Sequence, residues 1–147
     1  MEYELTVEAR TENNDAVLSF LDPLLEKNGF SKKAQIELNI AVEELFVNIA
    51  HYAYAPGIGS AKILTDFRDN AVFITLIDQG TPYNPLERED PDITLSAEER
   101  KIGGLGIYMV KKTMDDVQYI RENGSNRITI RLDRVGEMQA SGPDDHL

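Results

Sequence analysis

The amino-acid sequence predicts an α/β two-layer sandwich, with a mixed or antiparallel sheet covered by helices on one face and bordered by a long lid. Three observations carry this expectation. Five short segments alternate apolar and polar residues with the period of two that half-buried strands require. Four of the five fall into two pairs joined by turn residues, as hairpins do and parallel crossovers do not. Three segments with apolar residues at helical spacing stand outside those pairs, so helices and hairpins segregate into layers.

Taken in order, "YELTVEAR" at residues 3–10 alternates Tyr3, Leu5, Val7 and Ala9 against Glu4, Thr6, Glu8 and Arg10. "NNDAVLSFLDPLLEKNGF" sets Val17, Leu18, Leu21, Leu24 and Leu25 at helical spacing, with a kink or break expected at Pro23 and a stop at the glycine of "KNGF". Ser31 is suited to cap a second helix that runs to about Tyr54, ahead of Pro56. Its buried face is read from Leu38, Val42, Leu45, Ile49 and Tyr52. "APGIGS" is a turn, and "AKILTDF" and "AVFITLID" form a hairpin around "RDN". From Gly80 to about Lys101 nothing is periodic. A structureless stretch of that length in a compact domain is characteristic of functional lids. Residues 105–114 read as a helix with Ile107, Val110 and Met114 inward, and "DVQYIRE" and "RITIRL" as two strands about an "NGSN" turn. The chain is small and polar from Val135, so a domain over 1–134 and a disordered tail over 135–147 are expected.

A length of 147 residues with 41% apolar and 28% charged content is that of one ordinary globular domain. No apolar run approaches the roughly 20 residues that cross a bilayer. The start "MEYELTVEAR" lacks the basic and apolar regions of a secretory signal. Cysteine is absent, which excludes disulfides and thiolate chemistry and fits the cytoplasm. The net charge of −11 argues against nucleic acid and anionic membranes as partners and favours basic proteins.

Three separated pieces carry candidate chemistry. Glu44 and Asn48 share one helix face at i, i+4, beside the buried stripe. They read either as a solvated edge or as a site. In a site the neutral Asn48 oxygen suits magnesium whose other ligands are phosphates, and Glu44 suits a base toward a hydroxyl or water. Asp78 ends an apolar strand ahead of Gly80, either as a turn-initiating aspartate or as an acceptor for an amine edge such as that of adenine. Gly103, Gly104 and Gly106 lead into a helix N-terminus, an arrangement that suits phosphate. The loop is neither a Walker A motif nor a dinucleotide fingerprint, since it lacks G-x-x-x-x-G-K-[ST] and follows a lid rather than a strand.

In that order, "EELFVN", "DQGTP" and "GGLGIYMVKKTMDDV" resemble the three boxes of the GHKL ATP-binding fold of gyrase, MutL and histidine kinases. The likeness spans residues 3–132 and is nearest to the bacterial anti-sigma-factor serine kinases. It implies ATP and magnesium as cofactors, Glu44 as catalytic base and Asn48 as magnesium ligand. Asp78 and Gly80 correspond to the adenine site, Gly103, Gly104 and Gly106 to the phosphate site beneath an ATP lid, and Thr129 to an adenine-side threonine. It further implies phosphorylation of a serine on an antagonist protein, and it admits a sigma factor as a second partner and a homodimer. Two departures stand out. The family's histidine four residues past the asparagine is Tyr52 here, and His51 either replaces it or is a surface residue. The cation for the terminal phosphate has only Arg100 and Lys101 as candidates. A non-catalytic, nucleotide-gated switch is the alternative function.

Overall fold

Strand β1 (Glu2–Glu8), the hairpin β2 (Ser60–Arg68) and β3 (Ala71–Asp78), and the hairpin β4 (Asp116–Glu122) and β5 (Ser125–Asp133) form one sheet in the order β1-β2-β3-β5-β4. In the computed structural model, which describes residues 2–87 and 104–134, every neighbouring pair in this sheet is antiparallel. Of the two sheet types the sequence left open, the antiparallel one is found. Both hairpins close through two residues of positive φ, Asp69–Asn70 and Asn123–Gly124, the geometry that matches strand twist. The second turn is therefore shorter than "NGSN". Ser125 and Asn126 already belong to β5.

Helices α1 (Asn14–Lys27), α2 (Lys32–Asn48) and α3 (Gly104–Thr113) cover one face, with α2 between the other two. Pro23 neither breaks α1 nor ends it. Its ring removes one backbone donor, while Val17, Leu21 and Leu25 continue a fully buried stripe across that position. The helix ends where Phe30 N–H reaches Leu25 O at 3.0 Å and Gly29 N–H reaches Glu26 O at 3.2 Å, with Gly29 at φ +82°. Ser31 Oγ caps α2 by accepting from Ala34 N–H at 3.2 Å.

Leu38, Val42, Leu45 and Phe46 of α2 meet Ile63, Ile74, Leu76 and Ile130 of the sheet in one buried cluster. Each fully buried aliphatic side chain contributes about 1.5–3 kcal/mol, so this layer contact dominates the fold's stability. Tyr52 departs from the expected stripe. It is 56% exposed, because Ile49–Ala53 forms a π turn whose extra residue rotates everything beyond Asn48. No described helix is long and apolar enough to cross a membrane. Of the lid expected from Gly80 to about Lys101, residues 88–101 lie outside the described residues, as does the tail from Val135.

Candidate functional site

The last turn of α2 supplies a preset pair. Asn48 Nδ2 donates to Glu44 O at 3.0 Å and to Glu44 Oε2 at 2.9 Å. Both amide hydrogens are thereby used, and no donor among the described residues meets Asn48 Oδ1. A neutral oxygen fixed by its own amide fits magnesium, which is usually held by one or two protein ligands plus phosphates. Consistent with that, the described residues include no cluster of three or more His, Asp or Glu able to hold a metal by themselves. Beyond the pair, the π turn points Ile49 and Ala53 inward, while His51 and Tyr52 stack edge-on at 5.9 Å on the exposed side. Neither of these two lines the cleft.

Asp78 ends β3 at only 5% exposure, where an unpartnered carboxylate would be costly. Two donors converge on its Oδ1: the Gly80 N–H at 2.9 Å and Asn126 Nδ2, also at 2.9 Å. No donor among the described residues meets Oδ2. Asn126 is held in turn, donating to Thr81 O at 2.9 Å and accepting at Oδ1 from Tyr83 N–H at 3.3 Å and from the Tyr119 hydroxyl. With every position of its carboxamide engaged, Asn126 holds the Asp78 carboxylate in one orientation.

Gly80 makes the turn possible. A Cβ there would lie 2.1 Å from Ala53 O, which accepts from Thr81 N–H at 2.8 Å. Tyr54 clamps the same corner, donating to Ser60 O at 2.6 Å and accepting from Gln79 N–H at 2.7 Å. Burial, and to a lesser degree the Asp78 charge, push its phenol above the ordinary tyrosine range against the opposing Gln79 N–H. Between these parts opens a cleft of about 400 Å³, mouth included, with Leu45, Ile49 and Ile128 as apolar walls and Asn48, Asp78 and Asn126 as polar points. Apolar walls around one carboxylate suit an apolar heterocycle that carries an amine.

Helix α3 brings Gly106 to Glu44. A Cβ on Gly106 would stand 1.5 Å from Glu44 Oε1, so glycine there lets the first turn of α3 lie against that carboxylate without displacing it. Gly104 begins the helix, whose N-terminal amides and dipole favour an anion. Gly103, Arg100 and Lys101 lie outside the described residues.

The placement of Thr129 is corrected. It pairs with Thr75 across the ladder, hydroxyl to hydroxyl at 2.8 Å, on the sheet face turned away from Asp78. Asn126 stands on the cleft side instead, directly opposite Asp78 in the register. The signal for it was available: an asparagine an odd number of residues from Thr129 must lie on the other face. Reading "NGSN" as turn removed Asn126 from the strand and hid that.

A family model described as the histidine kinase-like ATPase domain matches residues 7–132. The chain is 26% identical over 125 residues to a Bacillus thuringiensis protein named serine-protein kinase RsbW, covering 82% of this chain and 78% of that one. It is 27% identical over 128 residues to the Bordetella bronchiseptica serine/threonine-protein kinase BtrW, covering 86% and 89%. Among solved structures, the RsbU and RsbW domains of a Mycobacterium tuberculosis protein superpose with a TM-score of 0.64 at 15% identity over 90% of this chain, which spans 32% of theirs. A histidine kinase domain from Erythrobacter litoralis gives 0.52 at 12% identity, over 88% of this chain and 63% of that one. At those identities the structural likeness is one of fold.

Proposed function

The chain belongs to the histidine kinase-like ATPase domain family, and from that premise we propose that it binds Mg-ATP and phosphorylates a serine on a protein antagonist. The observation that carries the reading is Asp78: a buried carboxylate in an apolar cleft, with one oxygen doubly satisfied and the other met by no donor among the described residues. That oxygen takes the adenine amine, while Gly80 keeps the turn close enough for the base to enter. Gly104 and Gly106 at the start of α3, with Gly103 preceding them in the sequence, receive the phosphates. Asn48 Oδ1 would hold magnesium, which when bound would offset phosphate charge. Glu44 accepts the proton of the serine hydroxyl as its oxygen bonds to the terminal phosphorus and the bond from that phosphorus to the bridging oxygen breaks, releasing ADP. The relatives named as serine kinases support protein serine as acceptor. A sigma factor as a further partner belongs to the same proposal.

Transfer and binding separate on mutation. With labelled ATP and proteins co-purified from the native host, wild type is expected to label an antagonist. Glu44→Gln retains Mg-ATP affinity by calorimetry but loses roughly 10²–10⁴-fold in transfer, as for a lost general base. Glu43→Gln is the control, since Glu43 is exposed and accepts from Asn14 Nδ2 at 2.9 Å, away from the cleft. Equal affinity for ATP and GTP would overturn the adenine assignment. Tight ATP binding with no transfer to any partner would favour the nucleotide-gated switch.

A further inference from the structure

At the end of the sheet opposite Asp78, a second cavity opens between the α1–α2 turn, the β2–β3 turn and the end of β5. It measures about 420 Å³, mouth included, and is lined by Asn28, Phe30, Phe67, Arg68, Asn70 and Arg134. The length of β3 separates it from the cleft, about 24 Å at the usual strand rise. Two guanidiniums, two carboxamides and two aromatic rings are an unusual lining in a chain of net charge −11.

Arg134 is the centre of it. Its Nη1 donates to Asn28 O at 2.9 Å and its Nη2 to Asn70 Oδ1 at 2.8 Å, and both acceptors are neutral. Its Nε is buried and meets no acceptor among the described residues. Arg68 differs, being paired with Asp66 at 2.9 Å and Asp69 at 3.8 Å and lying 3.8 Å over the Phe73 ring. No such carboxylate partner serves Arg134 among the described residues. One part of its placement is structural, because a cation at the C-terminal carbonyls of α1 is favourable there. That accounts for Nη1 and leaves the positive charge and the Nε–H unmatched.

We propose that this cavity is an oxyanion site, in which a carboxylate or phosphate group is received by the guanidinium of Arg134, with Arg68 and the Asn70 amide beside it. A guanidinium offers a planar fork that matches either group. The long-range field of an acidic chain repels anions, so recognition here is by short-range hydrogen bonds. The site is independent of the nucleotide cleft and does not rest on the kinase reading.

The test uses the full chain and two-dimensional NMR, with sodium phosphate or sodium malonate titrated at ionic strength held constant by sodium chloride. The expected result is saturable shifts at Asn28, Asn70 and the Arg134 Nε–H, with Asn126 unmoved; the two salts show which oxyanion fits better. Arg134→Gln abolishes the shifts. Because that change also removes two ties between turns, Asn70→Asp provides a second variant. It keeps an acceptor for Nη2, tolerates the φ of +58° as asparagine does, and supplies the missing carboxylate internally. Asn70→Asp is expected to raise Tm and to silence the anion response. No saturable shift in wild type, or an undiminished response in Asn70→Asp, overturns the proposal. So does a response that emerges only when residues 136–147 are deleted, since the chain's own carboxylates would then be the occupant.

Discussion

Asp78 and Asn126 are a buried pair joined by one hydrogen bond, and the energetic stake lies in the polar atoms that stay buried when one is removed. Asn126→Ala withdraws a donor from Asp78 Oδ1 and from Thr81 O, and an acceptor from Tyr83 N–H and the Tyr119 hydroxyl. Unsatisfied buried groups cost about 1–3 kcal/mol each, so the midpoint in urea is expected to fall clearly. Nucleotide affinity is expected to fall about tenfold or more, the equivalent of one lost hydrogen bond of ~1.4 kcal/mol. Thr129→Ala is the matched contrast. It removes one hydroxyl pair on the far face, for a loss of about 1 kcal/mol or less and unchanged affinity. Calorimetry on both variants checks the assignment, and weakened binding in Thr129→Ala alone would return Thr129 to the site.

Between elements, two glycines allow close approach against opposite kinds of neighbour. An alanine Cβ at Gly80 meets the Ala53 backbone at 2.1 Å, and backbone cannot yield, so Gly80→Ala is expected to cost about 1–3 kcal/mol in unfolding titrations. At Gly106 the nearest atoms belong to the Glu44 carboxylate, the end of a flexible side chain. Gly106→Ala therefore displaces Glu44 and is expected to depress transfer toward the Glu44→Gln level with little change in Tm. Tyr54 ties the π turn to β2 and β3, and its phenol is raised by burial. Its protonated form is the one the fold favours. The contribution is whole below the ordinary tyrosine pKa and is lost as pH rises through the higher folded value. Tyr54→Phe is expected to lose about 1–2 kcal/mol at pH 7, with the gap to wild type narrowing above about pH 10, measured by urea unfolding across that range.

For the whole molecule, the sheet's pairing is complete at Asp133, and Arg134 N–H still reaches Asn70 O at 2.7 Å. Residues beyond it carry no apolar period. Deleting 136–147 is expected to change stability by no more than about 0.5 kcal/mol, and a fall of several degrees in Tm would show that this stretch docks. At this scale the sequence by itself determined the layers, the helices and nearly every strand, because periods of two and 3.6 record which side of an element is buried. It also set Glu44 beside Asn48 and Asp78 beside Gly80, since their spacing is local. Three things were decided only by tertiary structure. Pro23 stays inside an unbroken helix because the stripe on both sides of it is buried. The π turn after Asn48 turns Tyr52 outward, a rotation that no helical wheel contains. Asn126, not Thr129, faces Asp78, because a two-residue turn set the register of β5, and a strand's register decides the face of every side chain on it.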